Sequence, residues 1–253
     1  MGRDNKGTAL ITGASSGIGA IYAQRLANRG YNLILVARNS DRLYALATRL
    51  TDETGQSIEI LSADLTDRSD LARIEKVVRM DASITLLLNN AGVGAAATLL
   101  AADSDKIQAM IALNVVAVTR LACAAVPGFV ARGTGTIVNI ASILAIAPEL
   151  LNGVYSASKA FVLTLSRSLH HEFAAKGIRI QAVLPGAVAT EFWEIAGTPL
   201  EDLPEGVVMS ADDLVDAALA GLDQGELITI PSLPKSSDWV AYETARRALA
   251  LNL

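Results

Sequence analysis

The chain has 253 residues, 51% of them hydrophobic, 19% charged and 4% aromatic, with a formal net charge of -5. That is ample apolar mass for one large core, and without a basic block a nucleic-acid partner has little electrostatic support. The lone cysteine, Cys123, excludes an internal disulfide and fits a reducing, cytoplasmic setting.

The polar start, Met1 to Lys6, lacks the apolar run of a signal peptide. The nearest approach to a membrane span, Ile84 to Ala102, is interrupted by Asn89 and Asn90, so no stretch is expected to cross a bilayer. Thr8 to Ile11 has strand length and runs into Thr12-Gly13-Ala14-Ser15-Ser16-Gly17-Ile18-Gly19, after which Ile21, Tyr22, Arg25, Leu26 and Arg29 recur at helical spacing. A strand, a Gly-rich turn and a helix together hold a phosphate: turn N–H groups and the positive helix end face the anion, and a Cβ would block its approach. The spacing Gly-x-x-x-Gly-x-Gly departs from the usual dinucleotide fingerprint.

Tyr31 to Ala37 predicts a second strand ending at Arg38, followed by a helix capped by Asp41 with Leu43, Leu46, Ala47 and Leu50 as its stripe. Ile58, Ile60 and Leu61 mark a third strand leading to Ala63-Asp64-Leu65, and Leu71, Ile74, Val77 and Val78 a third helix. Ile84 to Leu88 is a fourth strand, opening into Asn89-Asn90-Ala91-Gly92. A long helix then carries Ile107, Ile111, Asn114, Val118 and Leu121. A fifth strand, Thr136 to Ile140, ends at Ala141-Ser142. A helix over Tyr155 to Ala175 stops at Gly177, and a sixth strand, Ile178 to Leu184, ends at Pro185-Gly186. Residues 191–209 are broken by Gly197, Pro199, Pro204 and Gly206 and read as a lid. Ser210 caps a helix over Leu214 to Leu222, Leu227 to Ile230 is a last strand, and a terminal helix runs through Trp239 to Leu249.

Strands alternating with helices predict an α/β fold: a Rossmann-type, doubly wound parallel sheet of about seven strands with helices on both faces. No composition shift divides the chain, so 1–253 is read as one domain. The unusual residues sit at the carboxyl ends of strands, where open parallel sheets bind ligands. Tyr155 and Lys159, one helical turn apart, lie on one face. A tyrosine ordinarily ionises near pH of about 10, and a neighbouring ammonium or a positively charged nicotinamide would lower that value. Such a tyrosine exchanges a proton with a carbonyl or alcohol oxygen, and Ser142 hydrogen-bonds the same oxygen.

These residues match a known family. The chain resembles the short-chain dehydrogenases/reductases over essentially its whole length, through Thr12-Gly13-x-x-x-Gly17-x-Gly19, Asp64, Asn89-Asn90-Ala91-Gly92, Asn114, Ser142, Tyr155-x-x-x-Lys159 and Pro185-Gly186 with Thr190, and through the spacing from Ser142 to Tyr155. The resemblance implies a catalytic set of Asn114, Ser142, Tyr155 and Lys159. Tyr155 would be the acid/base, and Lys159 would hold the nicotinamide ribose and lower the tyrosine pKa. Ser142 would orient the carbonyl, and Asn114 would help hold a relay water. The cofactor site would comprise Gly13, Ser15, Ser16, Gly17, Ile18, Gly19, Arg38, Asp64, Leu65, Asn90, Ala91, Gly92, Tyr155, Lys159, Pro185, Gly186, Val188 and Thr190. Within it, Asp64 would meet adenine, Asn90 and Ala91 the ribose region, and Pro185 to Thr190 the carboxamide.

An NAD site usually ends its second strand with an acid that accepts from the ribose 2′-OH. This chain has Val36-Ala37-Arg38-Asn39-Ser40 there, and Arg38 suits a 2′-phosphate. NADP(H) is therefore expected, with NAD(H) retained as an alternative because Ser15 and Ser16 stand where some relatives carry a second basic residue. The expected substrate pocket is Gly94, Ser142, Leu144, Leu150, Tyr155, Phe192 and Trp193. That largely apolar set suits a small-molecule ketone, aldehyde or secondary alcohol of moderate hydrophobicity. No metal, nucleic-acid or membrane partner is expected, and the resemblance implies a homotetramer or homodimer. Two rival readings are a 3-oxoacyl-thioester reductase of the same family and a non-catalytic dinucleotide-sensing scaffold.

Overall fold

A computed structural model describes residues 6–94, 99–150, 153–190 and 208–250. Its strands are β1 (Thr8–Thr12), β2 (Asn32–Ala37), β3 (Ile58–Ser62), β4 (Ile84–Asn89), β5 (Gly135–Ile140), β6 (Ile178–Val183), β7 (Ala187–Val188), β8 (Val208–Met209) and β9 (Ile228–Thr229). A 7-stranded sheet runs in the order β3-β2-β1-β4-β5-β6-β9, and β7 pairs separately with β8. Every pairing in the large sheet is parallel. Chain order reverses between β1 and β4, which opens a crevice at their carboxyl ends.

The helices are α1 (Gly17–Asn28), α2 (Ser40–Thr54), α3 (Arg68–Met80), α4 (Ser104–Ile111), α5 (Val118–Arg132), α6 (Gly153–Phe173), α7 (Ala211–Asp223) and α8 (Ser236–Ala250). Side chains alternate across a strand, so β1 serves both faces. Ala9 and Ile11 join the core under α1, α2 and α7, whereas Leu10 joins the one under α3 and α5. Covering both faces is why β1 and β5 are buried along their full length.

The cap of α2 differs from expectation. Asn39, not Asp41, is the N-cap, and its side chain accepts from Arg42 N at 3.0 Å. Asp41 lies within the first turn, where its charge meets the helix dipole. Ser210 caps α7 as expected, accepting from Asp213 N. Salt bridges from Arg25 to Asp212 and Asp216 and from Arg29 to Asp223 tie α7 to α1.

The membrane expectation also needs correction. Ser104–Arg132 forms a continuous run of helix, 29 residues long, that meets the length and composition of a membrane span. Asn114 and Arg120 hid this in the sequence, because they interrupt any purely apolar window. In the fold the apolar face of this run lies on the sheet: Ala117, Leu121, Ala122, Ala124, Ala125 and Phe129 are buried in the second core. Between α4 and α5 the backbone opens into a π-helical segment, Ala112–Ala117, with Asn114 inside it.

Gly135 begins β5 directly beneath Phe129, whose ring occupies the space a Cβ would need. Gly135→Ala should therefore destabilise the protein by about 1–3 kcal/mol through overpacking, read by urea denaturation. Gly153→Ala, with nothing within 4 Å of the new methyl, should change stability by less than about 0.5 kcal/mol.

Candidate active site

The site lies along the carboxyl ends of the strands. Gly13 and Gly17 adopt positive φ, 66° and 53°. A Cβ on Gly13 would lie 2.8 Å from Asn90 Nδ2, and one on Gly19 would run into the Gly13 carbonyl. Thr12 braces this turn against the end of β4: its Oγ1 accepts from Asn90 N and Ala91 N, each at 3.0 Å, and donates to Leu88 O at 3.2 Å. Asn90 Nδ2 donates to Thr12 O at 2.9 Å and Gly13 O at 3.1 Å. Asn90, expected to line the ribose, thus uses its amide to hold the glycine turn.

The α1 N-terminus suits an anion. Its N-cap, Ser16, makes no side-chain capping bond, and the first turn holds no acid. Orphan N–H groups and the dipole remain available to a pyrophosphate. Ser15, Ser16 and Ile18 are half-buried around them. Thr190 closes one side, with Cγ2 3.3 Å from a Cβ position on Gly17.

Arg38 stands exposed just past β2, and its guanidinium has no partner among the described residues. Its carbonyl accepts from Ser62 Oγ at 3.2 Å, which aligns the β2 and β3 ends. Asp64 Oδ1 accepts from Thr66 N and Oγ1 at 2.9 and 2.7 Å, so this oxygen shapes its own turn. Asp64 N donates to Asp70 at 2.8 Å, and Leu65 is buried beside it. These residues could seat an adenosine 2′-phosphate and its base.

The chemistry-bearing side chains meet where β5 faces α6. Tyr155 and Ser142 are joined by a side-chain hydrogen bond. Ser142 also accepts from Leu144 N at 3.2 Å, and Ile143 N donates to Pro185 O at 2.9 Å. Those bonds bring Pro185 and Gly186 alongside. Buried Val188 follows in β7.

Lys159 is 5% exposed, and its Nζ donates to the Ile140 carbonyl at 2.9 Å. Gly92 leaves room beside it: a Cβ there would lie 3.3 Å from Lys159 Nζ and 3.2 Å from Asn114 Oδ1. Asn114 Oδ1 accepts from Val93 N at 3.0 Å, while Nδ2 donates to Val93 O at 2.9 Å and to Ser158 Oγ at 3.2 Å. Its amide clamps the loop after β4 to α6.

The expected lowering of the tyrosine pKa does not hold in the protein alone. Burial pushes the Tyr155 hydroxyl up to about 12, and the Ser142 bond opposes this only in part. Lys159 Nζ lies over the Tyr155 ring, 5.8 Å from its centroid. Burial brings the ammonium itself down to about 8. Desolvation therefore dominates at both groups, opposed only at Tyr155 and there by the Ser142 bond.

Of the expected pocket, Gly94 and Leu144 are half-buried, and Leu144 is bonded through its N–H to Ser142. The Leu150 side chain, Phe192, Trp193 and residues 191–207 of the lid expected over 191–209 lie outside the described residues, and the last two residues of that stretch form β8 against β7. One residue was missed. Ser232 follows β9, and its Oγ comes within 2.8 Å of a Cβ position on Gly186. The available signal was its place after a strand, the same rule that located the others.

The sequence model of the short chain dehydrogenase family matches residues 7–198. The chain belongs to this family. Among solved short-chain dehydrogenases, one from Sphingobium yanoikuyae in complex with NADPH is 51% identical, covers 98% of this chain and 96% of its own, and superposes with a TM-score of 0.95. The bulky-bulky ketone specific alcohol dehydrogenase of Comamonas testosteroni is 46% identical, covering 98% and 95%, with a TM-score of 0.91. A very-long-chain 3-oxoacyl-CoA reductase of Anas platyrhynchos is 35% identical over 208 residues, which are 80% of this chain and 67% of the relative's length.

The buried ammonium has a measurable cost. Between about 8 and its ordinary 10.5, the unfolded chain holds a proton that folded Lys159 has released. Folded stability therefore rises with pH through that window, and the penalty is full below it. Lys159→Met should accordingly stabilise the protein at pH 7 by on the order of 1–3 kcal/mol. Urea midpoints should show that gain shrinking as pH climbs above 8, alongside loss of activity.

Proposed function

We propose that this short-chain dehydrogenase is an NADP(H)-dependent oxidoreductase acting reversibly on ketones, aldehydes or secondary alcohols of moderate hydrophobicity. The hydrogen bond between Tyr155 and Ser142, beside a buried ammonium, carries this reading. When bound, reduced nicotinamide supplies the hydride that goes to the carbonyl carbon. Tyr155 would give its proton to the carbonyl oxygen while Ser142 donates a hydrogen bond to it, and the Lys159 ammonium would stabilise the phenolate left behind.

NADP(H) is supported by the exposed Arg38 guanidinium, which has no partner among the described residues, and by the NADPH bound to the Sphingobium relative. The walls at Ile143 and Leu144 are apolar, and the Comamonas relative is specific for bulky-bulky ketones, so ketones flanked by sizeable apolar groups are the favoured substrates. The Anas relative favours a second reading, reduction of a 3-oxoacyl thioester. Exposed Ile111, Val116 and Phe161 on the α4–α5 run and α6 support pairing into a homodimer or homotetramer.

One kinetic matrix tests the proposal: NADPH and NADH against aryl ketones, aldehydes, secondary alcohols and a 3-oxoacyl thioester. NADPH should exceed NADH at least about tenfold in kcat/KM, and Arg38→Asp should remove that preference. Tyr155→Phe should lower kcat about a thousandfold. Cofactor binding without turnover of any carbonyl would leave a dinucleotide sensor as the better reading.

A further inference from the structure

β5 carries an asparagine where an aliphatic residue would pack better. Asn139 is wholly buried between Val138 and Ile140, and a buried amide is tolerated only when its bonds are made. Its bonds span three elements. Asn89 Nδ2 of β4 donates to Asn139 Oδ1 at 2.9 Å, and Asn139 Nδ2 donates to Ser166 Oγ of α6 at 2.9 Å. Ser166 Oγ in turn donates to Val162 O at 2.8 Å. Lys159, Val162 and Ser166 share the buried face of α6, and Lys159 Nζ bonds the carbonyl of Ile140, next to Asn139. The helix that bears Tyr155 is thus tied to β5 at two heights. Apolar packing of α6 on the sheet would tolerate sliding, whereas a directional hydrogen bond fixes one height.

We propose that Asn139 is a positioning residue that acts through Ser166 to fix α6 along β5, and so sets Tyr155 and Lys159 against Ser142. This rests on the reading of Tyr155 as acid/base. A shift of the helix by a fraction of an ångström would leave the glycine turn and Arg38 untouched, because these belong to β1 and β2. Proton delivery would change most, while dinucleotide binding, anchored mainly at the glycine turn and Arg38, would change little.

The test is a double-mutant cycle with Asn139→Leu, which keeps the branching of the side chain but removes its amide, and the milder Ser166→Ala, each alone and combined. Asn139→Leu should lower kcat for ketone reduction about tenfold or more, while the NADPH Kd stays within about threefold. The pH profile of kcat should shift, and the combined variant should be little worse than Asn139→Leu alone, since both break one link. Hydrogen exchange gives a readout that needs no turnover: peptides over 153–166 should exchange faster in both variants, and peptides over 17–54 should not. Wild-type kcat and pH profile in Asn139→Leu, or losses that simply multiply in the combined variant, would overturn the inference and leave the proposed function standing. If the wild type reduces no carbonyl, the proposed function fails, and unchanged exchange over 153–166 would still overturn the positioning role.

Discussion

Lys159 Nζ is held against the Ile140 carbonyl in a space nearly closed to solvent, with no carboxylate near enough to form an ion pair among the described residues. An ammonium in that position must be braced from several sides, because the attraction that usually compensates its burial is missing. Gly92 gives up its side chain to leave room. Asn114 turns its carbonyl oxygen to the same spot from a π-helical segment that ordinary helix geometry would not supply. Ser158, on the same helix as the lysine, ties Asn114 to α6. Stability is spent here for a charge that the sheet itself does not need, which is how active sites commonly differ from cores.

The sheet divides the work. Glycine turn, Arg38 and Asp64 follow β1, β2 and β3, on one side of the point where strand order reverses. Ser142, Tyr155 and Lys159 belong to β5 and α6 on the other side. Thr12 and Asn90 join the halves by hydrogen bonds from β1 to the end of β4. A dinucleotide laid across the crevice would span both, with its phosphates at α1 and its nicotinamide at Tyr155.

Features that depend on local sequence were legible before the structure. The turn from Gly13 to Gly19, the one-turn spacing of Tyr155 and Lys159, and the lack of an acid after β2 follow from short-range geometry. The parallel α/β sheet and the carboxyl-end location of the site followed from helix–strand alternation, whereas the strand order and the alternation of β1 between two cores did not. Features that depend on pairing across the chain were not legible. Asn139 reads as an oddity in a β5 strand until Ser166 is seen opposite it. Ser232 becomes part of the rim only when β9 takes the sheet edge. The α2 cap went to Asn39 because its side chain, and not that of Asp41, meets the N–H of Arg42. Spacing suggested that Lys159 would acidify Tyr155, but spacing carries no information about burial, and burial decides the sign.

That sign is the point most open to direct measurement. Tyrosine ionisation can be followed by ultraviolet difference absorbance of the wild type against Tyr155→Phe, with and without saturating NADP⁺. The expected result is a Tyr155 that ionises near pH of about 12 in the free protein and below about 10 once the positively charged nicotinamide is beside it. A Tyr155 that titrates at the same pH with and without NADP⁺ would contradict its role as the proton-exchanging group.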